Sequence, residues 1–564
     1  MRTFDVVALL VLGIVAMLLR VAPIAEMTLW WDELVHLKTA TKGGFFSVFE
    51  AVKLGIPPGF GNAGAVPADY LLLNAWLRSV PAPSLEWIEA YYRTPALLWS
   101  VVTVLFTYVY VRRFFDRGVA LVAATILAIS VSHSLYAAEV RNYSMFALMA
   151  VVNLYAFSAL VLRRRSTGAW IAYTAVAVVY FSTGFMSLLV TLGQYLILAV
   201  LLLMDLRKRP KQVRELVRLA FPLASGLAVL SAVGAYLRGT FLGVRYGRAT
   251  DGIDTWERTY TAFDFFAGGN PLLLAAFFAG LALLIWHGWQ QGRDRVAIAA
   301  GLGISFFAIP IIVEIERWKE YYFHPRHSFF LLPIFAIVAA GGLLVAVRGL
   351  DPLRRTKLRQ ATRKAIYTAL ALVLVVGTEA TPVVRHLDNP NPRFKRSKTV
   401  RHFKSLMVYL QDQVAALEPD QVYLLIAERR RPGHISNPVL ATYLEWYGLD
   451  DRVILRGSDR PIQTRQTIHR LCPEGCVGEP AARVQKKVGA IGPFNSMREM
   501  LELLEVSAAP QTAAPVGQIG LLHYWRHQVE PPSRAPGFVL STHVGMSLFE
   551  KPLAAAPDRL GNQE

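Results

Sequence analysis

Residues 124–157 read ATILAISVSHSLYAAEVRNYSMFALMAVVNLYAF. An apolar run, about 118–134, gives way to the polar stretch HSLYAAEVRNYS (His133–Ser144), and a second run, about 144–162, comes directly after it. Each run is long enough to cross a hydrocarbon core of ~30 Å. The pattern is that of two neighbouring membrane helices joined by a short polar loop. That loop carries Glu139, Arg141 and Tyr143 at alternating positions. On a strand or extended turn the three share a face. On a helix Glu139 and Tyr143 are neighbours and Arg141 points away. Charges beside a membrane helix also serve as interfacial anchors, with Arg snorkelling and Tyr at headgroup level.

The rest of the chain repeats the pattern. Of 564 residues 54% are hydrophobic and only 18% charged, and mean hydropathy is +0.37. Soluble globular chains carry roughly 25% charged residues. Further apolar segments fall near 5–21, 94–111, 169–185, 187–204, 218–237, 271–289, 295–313, 328–347 and 365–380. With the two already quoted this predicts an α-helical polytopic membrane protein of about eleven transmembrane helices. The first run is read as a helix and not as a cleaved signal: Arg20 and Pro23 close it, with no A-x-A site.

Orientation comes from charge. The formal net charge is +19, and the basic clusters fall in alternate loops: Arg112, Arg113 and Arg117; Arg163 to Arg165; RKRPKQVRELVR (Arg207–Arg218); Arg293 and Arg295; and RGLDPLRRTKLRQATRK (Arg348–Lys364). This is the distribution of cytoplasmic loops facing anionic lipid, and it argues against a nucleic-acid partner. It predicts the N-terminus inside and everything after about residue 381 outside. The expected location is the bacterial cytoplasmic (inner) membrane, multi-pass, with the polar loops on the periplasmic or extracytoplasmic side.

The expected division is a membrane domain over 1–380 with a long first outer loop (22–93), a linker over 381–398 and a soluble α/β domain over 399–564 on the outer face. In the tail, QVYLLIA (Gln421–Ala427), DRVILRG (Asp451–Gly457), IGLLHYW (Ile519–Trp525) and GFVLSTHV (Gly537–Val544) read as strands. NPVLATYLEWYG (Asn437–Gly448) and SMREMLELLEV (Ser496–Val506) read as helices between them. Both cysteines, Cys472 and Cys476, lie in CPEGC; an oxidising compartment favours a local disulfide, and two ligands are too few for a metal site.

The unusual residues gather on the outer side. TLWWDELVHLK (Thr28–Lys38) places Asp32 and Glu33 after two tryptophans that suit a membrane interface. Paired acids there serve as hydrated surface groups, as helix caps or as a general base. Arg93 opens a helix in EAYYRTPALLW, and Lys319, His324, Arg326 and His327 stand in EIERWKEYYFHPRHS (Glu314–Ser328). With Arg141, these are cations on the side where positive charge is normally depleted. An anionic ligand at the membrane surface accounts for them, because Arg binds phosphate through planar, bidentate donors.

LWWDELVHLK, then PADYLLLNAWL (Pro67–Leu77), YYRTPALLWSVVTVLFTYVYVRRFF, the stretch quoted first and HPRHSFFLLPIFAIVAA together resemble the GT-C membrane glycosyltransferases. The nearest group is that of the protein O-mannosyltransferases and lipid A aminoarabinose transferases, akin to glycosyltransferase families 39 and 83. The resemblance covers about residues 1–345 in order and spacing. It implies juxtamembrane helices in the first outer loop, for which TKGGFFSVFEAVKLG and PADYLLLNAWLRSV are candidates. It implies Asp32 as general base with Glu33 as its partner. Glu139, Arg141 and Tyr143 would shape the donor pocket, with Arg141 and Arg326 on a lipid phosphate. His327 stands where relatives often have Tyr. The implied activity is inverting transfer (EC 2.4 class) from a polyprenyl-phosphate sugar to a hydroxyl of a glycan, lipid or protein of the cell envelope. No cofactor is required by the motifs. A divalent cation is admissible, with Asp32, Glu33, Glu139, His324 and His327 as the available ligands. Two other readings stand beside it: a lipid or solute transporter or flippase, disfavoured because the midplanes look largely apolar and the polar constellation sits at one face, and a non-catalytic envelope scaffold, which leaves the outer arginines without a role.

Overall fold

The computed structural model describes residues 3–24, 29–54, 67–164, 166–208, 254–318, 324–349, 360–388, 403–419, 421–427, 436–457, 516–524, 539–543 and 546–552. The chain divides into two compact units. The first comprises Met1–Ala25, Val35–Ala82 and Ala90–Pro392, and the second Glu26–Leu34, Pro83–Glu89 and Arg393–Glu564.

The helices of the first unit are α1 (Thr3–Ile24), α2 (Trp31–Ala40, whose first turn belongs to the second unit), α3 (Phe45–Leu54), α4 (Pro67–Ser79), α5 (Ile88–Phe114, whose residues Ile88 and Glu89 belong to the second unit), α6 (Arg117–Ile129), α7 (Val131–Ala137), α8 (Tyr143–Leu162), α9 (Thr167–Thr183) and α10 (Ser187–Lys208). After the gap come α11 (Thr255–Phe266), α12 (Pro271–Gln291), α13 (Arg293–Ile304), α14 (Ala308–Trp318), a 3-10 turn (Pro325–Leu331), α15 (Leu332–Gly349) and α16 (Gln360–Asp388). Among the described residues eight helices are long and apolar enough to span a membrane, or nine if the bent pair α6 and α7 is one span. The protein is thus a helical, polytopic membrane protein. Ten of the eleven expected runs coincide with helices, α9 being a shorter one of 17 residues, and the run at 218–237 lies outside the described residues. The segment expected as a linker begins as helix, since α16 continues to Asp388. Pro382 sits within α16 and Pro95 within α5. Membrane helices tolerate such prolines where neighbouring groups satisfy the freed carbonyls.

Side chains of lipid-facing type cover the bundle: Leu10, Leu18, Ile171, Leu196, Leu203 and Val373 are all exposed. The interior is tightest between α12 and α15. A Cβ on Gly280 would fall on the carbonyl of Val338, and one on Gly342 on the carbonyl of Ala276. Small residues let two backbones approach closely where no hydrophobic effect drives helices together. Gly342→Leu is therefore expected to destabilise the bundle by more than the ~1–3 kcal/mol typical of overpacking. Thermal unfolding in detergent checks this, and an unchanged midpoint would contradict the crossing.

The interior is not uniformly apolar. Midway along their helices Asn153, Tyr173 and Gln194 are fully buried, with Tyr173 OH donating to Gln194 Oε1 at 2.8 Å. This corrects the expectation of apolar midplanes, although the cluster holds no charge and reads as interhelical hydrogen bonding. Ion pairs instead tie the end holding the basic loops. Arg164 pairs with Asp205 at 2.5 Å and Asp294 at 2.9 Å, and Arg293 with Asp205 at 2.6 Å. Buried Asp5 receives Tyr108 OH at 2.8 Å and Arg112 at 3.3 Å.

The second unit contains α17 (Phe403–Ala415), β1 (Val422–Ala427), α18 (Ser436–Trp446), β2 (Val453–Gly457), β3 (Val516–Tyr524), β4 (Val539–His543) and β5 (Met546–Pro552). The five strands form one sheet in the order β2-β1-β3-β5-β4. β1 runs parallel to β2 and β3, and β5 runs antiparallel to β3 and β4. The four expected strands are present; β5 and α17 were not anticipated. Ser496–Val506, Cys472 and Cys476 lie outside the described residues.

Candidate active site

The polar loop of residues 138–142 is neither strand nor helix. It is a tight turn between α7 and α8, in which Arg141 N donates to Glu139 O at 2.8 Å. Asn142 Nδ2 donates to Thr183 O at 2.7 Å and pins the turn to the end of α9. Glu139 is buried at 2% exposure. Tyr143 begins α8, and the Arg141 guanidinium lies 5.5 Å from its ring centroid. Such a cation–π contact holds the guanidinium by its face, whereas its N–H donors lie around its edge. Glu139, Arg141 and Tyr143 thus do come together, by a route that neither regular structure offered.

The second element is the 3-10 turn Pro325–Leu331. His324 Nδ1 accepts the Arg326 N–H at 3.2 Å and so caps its start. Arg326 Nε donates toward His327 Nε2 at 3.5 Å, and His327 Nδ1 lies 2.6 Å from Glu316 Oε1. Glu316, 5% exposed, is a site residue that sequence reading missed. It ends a long apolar span, where a carboxylate looks like a solvated helix end; its partner eleven positions on was the only signal.

The two elements share packing. Phe329 packs against Tyr136 at 4.8 Å and approaches Tyr143 at 6.2 Å. The turn that carries Arg326 is thereby set beside the turn that carries Arg141, at one end of the bundle. Arg93 is fully buried in α5, with Nη1 donating to Ile24 O at 3.4 Å. Lys319 lies outside the described residues.

The first-loop helices expected by resemblance are present as α3 and α4, packed through Val48, Val52 and Tyr70. Here too a pair went unread: His36 Nε2 lies 2.7 Å from Asp69 Oδ2, and its ring stacks on Tyr70 at 3.8 Å. Asn74 Nδ2 donates to Ala40 O at 2.7 Å and Gly43 O at 2.9 Å, satisfying carbonyls at the end of α2.

Asp32 and Glu33 fall in the second unit. Glu33 is buried at 1% exposure and its Oε2 accepts the Trp30 N–H at 3.0 Å. A glutamate at the third helical position reaching back to the cap residue is half of a capping box. Asp32 is less buried than Glu33 and also sits in the first turn, where the helix dipole favours a negative charge. The capping role weighed for the pair therefore belongs to Glu33. In the same unit Tyr443 OH accepts the Leu29 N–H at 2.9 Å and donates to Glu89 Oε1 at 2.8 Å. Tyr443 is fully buried and its ring packs on Phe403 and Trp446, both at 5.2 Å. Burial first, and the Glu89 carboxylate second, push the nearby Tyr447 phenol above its ordinary range. Tyr443→Phe leaves Leu29 N–H without this acceptor and Glu89 without this donor. The expected cost is about 1–3 kcal/mol, measured as a lowered unfolding midpoint.

For a divalent cation the residues fit poorly. His324 and His327 commit ring nitrogens to Arg326 N and Glu316. Among the described residues no three His, Cys, Asp or Glu side chains converge as a ligand set.

No family model and no curated protein matches the sequence. Solved structures do. ArnT from Cupriavidus metallidurans bound to undecaprenyl phosphate is similar over 100% of both chains, at 13% identity and TM-score 0.48. Its apo state is similar over 97% of each chain, at 14% identity and TM-score 0.49. The archaeal oligosaccharyltransferase AglB from Archaeoglobus fulgidus, in complex with an inhibitory peptide and a dolichol-phosphate, is similar over 80% of this chain and 64% of its own, at 12% identity and TM-score 0.46. The chain thus spans less than two thirds of the length of AglB. Likeness at this level of identity and score assigns neither a substrate nor a residue role.

Proposed function

We propose that the protein is an inverting glycosyltransferase that moves a sugar from a polyprenyl-phosphate donor to a hydroxyl acceptor of the cell envelope. One observation carries the reading: Arg141 and Arg326, from segments far apart in sequence, are brought to one end of the helical bundle through Phe329. A lipid phosphate binds such arginines by charge-assisted, bidentate hydrogen bonds, and its isoprenoid tail matches the apolar surface of the helices below. The alternation of the basic loops favours the extracytoplasmic side of the inner membrane for this end.

In the proposed reaction the Asp32 carboxylate takes the proton of the acceptor hydroxyl. The oxygen attacks the anomeric carbon as the bond from that carbon to the phosphate oxygen breaks. The polyprenyl phosphate leaves as an anion stabilised by Arg141 and Arg326. A single displacement inverts the anomeric centre. Glu33 holds the helix start that carries Asp32. No step passes through a cation. The test compares envelope lipids and glycans by mass spectrometry from cells carrying the wild-type chain or Asp32→Asn. A sugar-modified species lost in the variant is expected, and its mass would identify both sugar and acceptor. Identical profiles would sink the reading.

A further inference from the structure

Arg20, at the end of α1, is fully buried. Its Nε donates to Ser100 Oγ at 2.7 Å, Nη1 to Ala16 O and Ala128 O, both at 2.9 Å, and Nη2 to Leu127 O at 3.1 Å and His133 Nδ1 at 2.5 Å. All five N–H groups of the guanidinium meet an acceptor. No carboxylate lies within ion-pair distance among the described residues. A buried charge in a membrane protein is costly and marks a task. The acceptors say which. Leu127 and Ala128 close α6, and α7 begins after Ser130 at an angle of 58°. Ser130 caps α7 by accepting the His133 N–H at 3.2 Å. Carbonyls at the end of α6 lose their helical partners at this break. Arg20 supplies the donors and places a cation at the negative pole of the helix.

The break governs the geometry beyond it. His133 stacks on Phe329 at 5.7 Å and 16°, and Phe329 in turn packs on Tyr136 and Tyr143. Because Nδ1 accepts from Arg20, the His133 ring carries its proton on Nε2 and is held in one orientation. One side chain thus fixes the direction of α7, which delivers the Glu139–Arg141 turn, and the ring against which the Arg326 turn is packed.

We infer that Arg20 is the positioning residue of the anion site: it holds the α6–α7 break and the His133 ring so that Arg141 and Arg326 face one phosphate. This rests on the proposed donor. The test measures binding of undecaprenyl phosphate in detergent micelles to the full chain, with a thermal unfolding curve for every variant. Arg20→Lys keeps the charge but cannot reach five acceptors. Arg20→Met removes both. His133→Phe keeps a ring against Phe329 and loses only the acceptor, and it carries the test if the Arg20 variants do not fold. Folded Arg20 variants are expected to bind about ten- to hundred-fold more weakly. Combined with Arg326→Ala, the loss is expected to be non-additive. A merely structural Arg20 would lower the unfolding midpoint and leave affinity below that temperature unchanged. That result, or strict additivity with Arg326→Ala, overturns the inference alone. A wild-type chain that does not bind undecaprenyl phosphate overturns both it and the proposed function.

Discussion

Asp32→Asn is expected to lower the transfer rate by about two to four orders of magnitude, the usual contribution of a positioned general base, while donor binding and fold persist. The fold persists because Asp32 is the less buried of the two acids, so an isosteric amide there leaves no buried charge stranded. Its neighbour behaves differently. Glu33→Gln keeps an oxygen able to accept the Trp30 N–H and should retain most activity. Glu33→Ala removes that acceptor and should cost about 1 kcal/mol in stability. Steady-state rates at saturating donor, read beside unfolding midpoints, separate the two acids. Full activity in Asp32→Asn, or loss in Glu33→Gln equal to that in Asp32→Asn, would move the base elsewhere.

The second large effect concerns the arginines. Arg141→Ala and Arg326→Ala are each expected to reduce kcat/KM by about 10²–10³, the scale for removing one preorganised donor to a developing anion. Lysine should restore little at either position. Arg141 lies across the Tyr143 ring and Arg326 reaches toward His327, and both arrangements use the planar fork that an ammonium lacks. Arg163→Ala is the control: Arg163 is exposed beyond the end of α8, and its loss should leave donor affinity at the wild-type value. A folded Arg326→Ala protein with unchanged kcat/KM would remove the phosphate assignment.

How much of this architecture is legible in the sequence depends on the range of the forces involved. Membrane helices are announced by continuous apolar runs, which need only local composition, so runs such as 5–21 and 328–347 reappear as α1 and within the 3-10 turn and α15. The bend after Ile129 carries neither Pro nor Gly. Its free carbonyls bond Arg20, more than a hundred positions earlier, and no local window contains both. Glu139, Arg141 and Tyr143 were legible as residues and a turn was among the readings offered for them, but the bond from Asn142 to Thr183 that pins it was not. The pairs Glu316 with His327 and His36 with Asp69 were hidden for the same reason: each half alone is an ordinary polar residue at a helix end. In the tail β5 ends in FEKP (Phe549–Pro552), whose charges mask a strand that pairs on both sides.

Tyr443 links positions 29, 89 and 443 through a single hydroxyl. Leu29 joins through its backbone N–H, which any residue but proline supplies, so the constraint on side chains falls on positions 89 and 443. In a deep set of homologues Tyr443 should give way to Phe only where residue 89 has ceased to be acidic. The tail, in this respect, is inherited together with the peptide that opens α5. A chimera that exchanged residues 393–564 alone, for a tail with Phe at 443, would leave Glu89 without this donor.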